Sequence, residues 1–255
     1  MIDRNTLHFL AGIAHELRTP LGAIGGHAEL LRMGLHGPLE TAQLDVLNRI
    51  RRNQEQMIAF ITECMAYASA AAGDVALQPV AVPVDQWLHQ AMQAVEAQAA
   101  ERAVTIVVTI DEPIDETGDA ARRDASGLDS ADVFVDRRAS ATMLGELLAD
   151  ALAGCGEGKA VQLGVVVGQA TVTVTIESAG TPIAAEAVES VFVPFSHGSD
   201  GSRSAVSTRP LSLSHARVLA RASGGDVVAV TGGTSRIVRL WLPRRPEAAA
   251  VVYGE

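Results

Sequence analysis

The chain contains only two cysteines in 255 residues, Cys64 and Cys155, and they lie in unlike segments. That excludes a disulfide scaffold and a cysteine-ligated metal centre. Basic residues are also short: 20 Lys and Arg stand against 30 Asp and Glu, for a formal charge of -10. Nucleic acid is not expected as a partner, because phosphate binding needs clustered cations. No apolar run approaches the roughly 18 residues that a membrane helix requires. The opening "LHFLAGIA" (7–14) is short, lacks a cleavage signature and runs straight into "HELR", so it reads as helix and not as a leader. These absences together predict a cytoplasmic protein in a reducing compartment. With 48% hydrophobic and 20% charged residues, a packed core is expected.

What is present divides into two textures. From Leu10 the apolar positions run Leu10, Ile13, Leu17, Leu21, Ile24, Ala28 and Leu31, in steps of three and four. That spacing is the seam of a helical bundle. "GLHGP" (34–38) breaks the helix, and a second seam follows at Leu47, Ile50, Gln54, Met57, Ile61, Cys64 and Ala68. The first domain, 1–72, is thus expected to be a helical hairpin. Two helices cannot cover seams of this length alone, so a homodimeric four-helix bundle is predicted.

Beyond "AAAGD" (70–74) helices and strands mix. "VPVDQWLHQAMQAVEAQAAERA" (82–103) reads as a helix and "VTIVVTID" (104–111) as a strand. Residues 112–130 read as an inserted loop, "ADVFVD" (131–136) as a strand and "RRASATMLGELLADALA" (137–153) as a helix. Two hairpins are expected, one over 161–178 and one over 226–243, with a mobile loop at 196–210 and a helix stopped by Gly224 and Gly225 between them. The second domain, 75–245, is therefore an α/β sandwich, followed by a loose tail at 246–255. The fold class is α+β.

His15 lies two residues from both Ile13 and Leu17, on the side of the first helix opposite the predicted seam. A core histidine would sit on the seam; this one faces outward. Thr19 is one turn further along the same face, and Pro20 removes the amide that would bond the carbonyl of Glu16. A mid-helix proline costs roughly 3 kcal/mol, and a kink is expected there. His8, seven residues earlier, is expected to be a solvated histidine with no role.

"FLAGIAHELRTPLGAIGGHAELL" (9–31) resembles the phosphoacceptor box of two-component sensor histidine kinases. The resemblance extends over nearly the whole chain: the hairpin is similar to their dimerisation and phosphotransfer domain, and the sandwich to their GHKL, or Bergerat-type, ATP-binding domain. It implies that His15 carries a phosphoryl group, exchanged with an aspartate on a response-regulator receiver domain. Glu16 would act as general base or orient the imidazole, and Thr19 would position a hydrolytic water. It further implies that Arg18 and Leu21 contact the partner.

The same resemblance implies an ATP and Mg²⁺ site, and here the residues depart from the family. In "LGELLADALAGC" (144–155), Asp150 stands where a magnesium-binding asparagine is expected and Glu146 replaces another. In "TIESAGTPI" (175–183), Ser178 replaces the aspartate that recognises adenine; Gly180 remains, and Pro182 replaces a glycine. "SVFVPF" (190–195) keeps Phe192 and Phe195. In "PLSLSHARVLARASGG" (210–225), Pro210 and Ser212 stand where glycines let the backbone approach phosphate, and Pro210 has no amide to donate. The expected function is a phosphorelay phosphotransferase, with the sandwich as a docking surface. Its partners would be a receiver domain, a second copy and a cognate hybrid kinase; no protein-ligated metal is expected, and ATP with Mg²⁺ is a cofactor only in the competing kinase reading. An ATP-dependent histidine kinase and a pseudokinase scaffold are the competing readings.

Overall fold

The computed structural model describes residues 2–111, 122–123, 131–195, 211–231 and 234–245. The chain forms two compact units, Met1–Val75 and Ala76–Glu255. In the first, helix α1 spans Arg4–Arg32 and α2 spans Thr41–Ala71. The Asp3 carboxylate starts α1 by accepting from the Thr6 amide at 2.7 Å. Gly34 and Gly37, at φ of 75° and 107°, form the turn that reverses the chain. The helix runs through Pro20 without ending.

The hairpin seam differs from the expected one. Leu7, Ala14, Leu21 and Ala28 are the buried residues of α1, each seven after the last. Ile13, Leu17 and Ile24 are exposed. On α2, Ile61 and Ala68 are buried, while Ile50 and Met57 are exposed. The apolar arc of each helix is wide enough for two stripes, and spacing alone does not say which one meets the other arm. Of the expected positions, Leu21, Ala28, Ile61 and Ala68 are buried. The stripe assigned from the sequence straddles the two.

The second unit begins with β1 (Val80–Pro83), a short strand where the sequence suggested only helix. Helix α3 follows it, spanning Val84–Glu101. Next come β2 (Thr105–Asp111), β3 (Arg122–Arg123), β4 (Asp132–Val135) and α4 (Arg137–Gly154). The chain continues with β5 (Ala160–Val167), β6 (Thr171–Ser178), α5 (Ser212–Ala222), β7 (Asp226–Val230) and β8 (Arg236–Pro243). One sheet has the order β3-β2-β5-β6-β8-β7, and β1 pairs with β4 in a second. Strands β2 and β5 are parallel; the other pairings of the main sheet are antiparallel.

Period-two alternation makes one face of the sheet apolar. Val161, Leu163 and Val165 of β5, Val172, Val174 and Ile176 of β6, and Val238, Leu240 and Leu242 of β8 are all buried. Helix α4 packs against β6 and α5 against β7, and α4 lies between α3 and α5. Most of the expected loop 112–130, the loop 196–210 and the tail 246–255 lie outside the described residues; of the first, Arg122–Arg123 pairs with Ile110–Asp111.

Candidate functional site

The first candidate site is the middle of α1. Ala14 and Leu21 are buried with Ile61 of α2, and Ile58 and Met65 pack against them. That cluster fixes the rotation of α1, so His15, Glu16, Arg18 and Thr19 are all exposed. The Thr19 hydroxyl donates to the His15 carbonyl at 3.3 Å, and its lone pairs stay available for other donors. An exposed neutral imidazole is a competent nucleophile near pH 7, and an adjacent carboxylate supports positive charge developing on the ring.

Of the two residues expected at a partner surface, Arg18 is exposed and Leu21 is not. Leu21 is in the hairpin core, because its side chain falls on the stripe that meets α2. It presents no surface to a partner. Arg18 donates from Nη2 to Thr62 Oγ1 at 3.2 Å, and Thr62 donates in turn to the Ile58 carbonyl at 2.9 Å. Arg18 thus ties the two arms together one turn from His15. His8 is exposed and lines a shallow open groove with Phe9, Gly12, Ile13, Glu16 and Leu17.

The second candidate site lies between the sheet and its helices. Asp150 on α4 is 2% exposed and Arg236 on β8 is 6% exposed. The Arg236 Nη2 is 3.2 Å from Asp150 Oδ2. Ser178 is the register partner of Arg236 across β6 and β8. Its hydroxyl is buried and has no hydrogen-bond partner among the described residues. Gly180 closes the same corner: a Cβ there would sit 3.1 Å from the Gly154 carbonyl oxygen and 3.7 Å from the Arg236 Cβ. One turn before Asp150, Glu146 Oε1 lies 2.8 Å from Nδ1 of His215, which is also buried.

The structure therefore gathers Asp150, Ser178 and Gly180 around Arg236. These residues do not fit a magnesium nucleotide. A divalent ion beside Asp150 would face a fixed guanidinium of like charge, and Ser178 offers an adenine no carboxylate. Pro182 is exposed, and Ser212, the first residue of α5, is fully buried. Pro210 lies outside the described residues. Phe192 is buried beneath Arg217, whose guanidinium carbon is 4.4 Å from the ring centre. Arg217 also pairs with Glu189 at 2.7 Å and with Asp226 at 3.1 Å. Phe195 is exposed, with φ of 58°.

Arg236 and His215 were not among the residues singled out from the sequence. For Arg236 a signal existed: in "RIVRLWLP", alternation places it on the same face as Val238, Leu240 and Leu242. An arginine at an inward position demands a buried partner.

Residues 6–73 match the family model of the His Kinase A (phospho-acceptor) domain. Histidine protein kinase DivJ of Caulobacter vibrioides is 25% identical over 254 residues, which are 95% of this chain and 38% of DivJ. Full-length ShkA in complex with AMPPNP superposes with a TM-score of 0.70 at 20% identity, covering 93% of this chain and 45% of ShkA. Histidine kinase ThkA in complex with the response regulator TrrA gives 0.61 at 19% identity, covering 94% of this chain and 62% of that one. The present chain thus spans less than two thirds of each of these relatives. No helix among the described residues is long and apolar enough to cross a membrane. Residues 6–73 thus match the phospho-acceptor domain of histidine kinases, and the α/β unit that follows them in the sequence has the fold of histidine kinase catalytic domains.

Proposed function

We propose that this protein is a phosphorelay phosphotransferase that does not phosphorylate itself from ATP. His15 is its phosphoacceptor. A ring nitrogen of His15 attacks the phosphorus of an aspartyl phosphate on a receiver domain. The new P–N bond forms as the P–O bond to the aspartate breaks, and the carboxylate returns as the leaving group. Glu16 supports the charge on the ring. The reverse step loads a second receiver, and Thr19 orients water when a regulator is dephosphorylated. A phosphorylated receiver, such as that of a hybrid kinase, is the phosphoryl donor. The pairing of ThkA with a response regulator, in a chain of this fold, supports a receiver domain as the partner.

The observation that carries the reading is the contrast between an exposed His15 and a nucleotide-type corner filled by the Asp150–Arg236 pair. Assembly as a homodimer follows from the uncovered stripes. Phe9, Ile13, Leu17 and Ile24 on α1 and Val46, Ile50, Met57 and Phe60 on α2 are all exposed. A second hairpin would cover them as a four-helix bundle. The sandwich then serves as a docking surface. Both cysteines are free, in keeping with a reducing cytoplasm.

The test is phosphoryl transfer from a panel of phosphorylated receiver domains, run beside labelled ATP and Mg²⁺. Acid-labile label should reach the chain from at least one receiver and not from ATP. Label arriving from ATP with a regulator absent would replace this reading with that of an active kinase.

A further inference from the structure

The nucleotide-type corner of the sandwich is occupied, and its occupant belongs to the chain. Arg236 enters from β8 opposite Ser178, its Cβ lies under Gly180, and its guanidinium ends on the Asp150 carboxylate of α4. The two positions that resemblance assigned to adenine and magnesium, with the retained Gly180, thus surround a single side chain. Burial of both partners means that the pair has given up hydration. Its members now depend on each other and on their hydrogen-bonding neighbours.

A ligand entering this corner would have to expel the guanidinium from its place on the Asp150 carboxylate. A purine has no positive charge to replace it. A magnesium phosphate would bring a metal ion to the carboxylate only by driving the two cations together. The substitutions also make sense as a set. An acidic residue at the Ser178 position would have drawn the guanidinium along the sheet. With serine there, the acidic partner is on α4, and the arginine spans the gap from sheet to helix.

We infer that Arg236 is an intramolecular occupant of the pocket, held by Asp150, and that this side chain closes the sandwich to nucleotide. The inference deepens the proposed function and rests on its claim that the sandwich does not use ATP. Arg236 is a specificity-determining residue in this account. It acts by exclusion, and the wild-type sandwich is complete without a ligand.

The test is equilibrium binding of a fluorescent ADP analogue, with Mg²⁺, to the full chain. Removing both charges together avoids leaving either one buried alone, so Asp150→Asn with Arg236→Ser is the informative variant. It should bind the probe at least about tenfold more tightly than wild type, a change of about 1.4 kcal/mol. Adding Ser178→Asp should tighten binding further. A double variant that folds and binds no better than wild type overturns the inference, as does wild-type binding in the micromolar range. Should the double variant not fold, the wild type supplies a second measurement. The Arg236 Nε–H resonance, assigned by its loss in Arg236→Lys, should exchange slowly and stay unmoved by millimolar MgADP. Fast exchange, or a shift on adding MgADP, overturns the inference. The two readings fail separately. Labelling of His15 from ATP would defeat the proposed function, whereas silence in both wild type and double variant defeats only the role of Arg236.

Discussion

The hairpin keeps its polar chemistry outside and leaves apolar side chains uncovered, whereas the sandwich buries its polar residues and pairs them. His15, Glu16, Arg18 and Thr19 are all solvent-exposed, beside exposed Ile13 and Leu17. Asp150, Arg236 and His215 are buried, each within reach of an opposite or complementary group. Two antiparallel helices have too little interior to hide a polar group, so anything reactive must stand outside. A sheet covered by three helices has such an interior, and a charge placed there must find a partner or be lost. Under the proposed function, the difference separates a surface that exchanges groups with partners from a core that has closed on itself.

The hairpin side of the comparison breaks most completely at one residue. His15→Ala should abolish receiver-derived label in both directions, because the proposed site contains no other imidazole. Autoradiography after transfer decides it. Label persisting on His15→Ala would remove the central claim.

The sandwich side breaks at Asp150. Asp150→Ala leaves the Arg236 guanidinium buried with its carboxylate gone, and losing one partner of a buried pair costs about 3–5 kcal/mol. Urea unfolding should show a midpoint far below wild type for Asp150→Ala. It should be much closer to wild type for the double variant that removes both charges. Equal losses in the two would mean that the pair is not coupled.

These two residues also show how far a sequence can be read. His15 was legible because its distance from the apolar repeat put it on the outer face, and the long phosphoacceptor box around it is specific. The existence of two helical arms and of a sheet unit was legible for the same reason: periodicities of 3.5 and 2 recur over many residues. The seam was legible only in part: Leu21, Ala28, Ile61 and Ala68 are buried as expected, while Leu7 and Ala14 were passed over for the exposed Ile13 and Leu17. Leu21 lay on the expected seam, and only the family resemblance put it at a partner surface. Strand β1 was missed because four residues ending in Pro83 carry too short a pattern, and their pairing with Val133 and Val135 lies some fifty residues away. Asp150 was seen, but its partner Arg236 is 86 residues further on, and local pattern does not report such pairs.

Thr19 sharpens the division of labour within the hairpin face. Its hydroxyl rests on the His15 carbonyl at 3.3 Å, one turn from the proposed nucleophile. Thr19→Ala should leave transfer to His15 near normal and slow dephosphorylation of the regulator. The loss of one positioned hydrogen-bonding group should cost about 2–4 kcal/mol, or roughly 30- to 1000-fold in rate. Thr19→Ser, which keeps the hydroxyl, should restore most of that rate. Equal damage to transfer and dephosphorylation would place Thr19 in a purely structural role.

The smallest effect tests whether the sandwich holds its half-buried polar groups as tightly as its buried ones. Asp136 sits at the start of α4, where its Oδ1 accepts from the amides of Arg138 at 2.9 Å and Ala139 at 3.0 Å. Its Oδ2 accepts from the Gln78 amide at 3.0 Å, tying the entry of the domain to the helix that carries Asp150. The Ala139 amide holds this carboxyl below its ordinary value; partial burial opposes the shift, and the Gln78 and Arg138 amides reinforce it. A carboxylate with a depressed folded value contributes stability that is present above the unfolded value of about 3.9. That contribution fades as pH falls through the folded value. Asp136→Ala should therefore destabilise the sandwich by about 1 kcal/mol near neutrality, and the gap from wild type should narrow in acid below about pH 4. Asp136→Asn can keep the two Oδ1 contacts but must turn an amide nitrogen toward the Gln78 N–H. Its loss should fall between wild type and alanine, with no acid-dependent narrowing of its own. Urea midpoints measured at neutral and acid pH decide the matter, and identical midpoints for wild type and Asp136→Ala would show that the cap holds nothing.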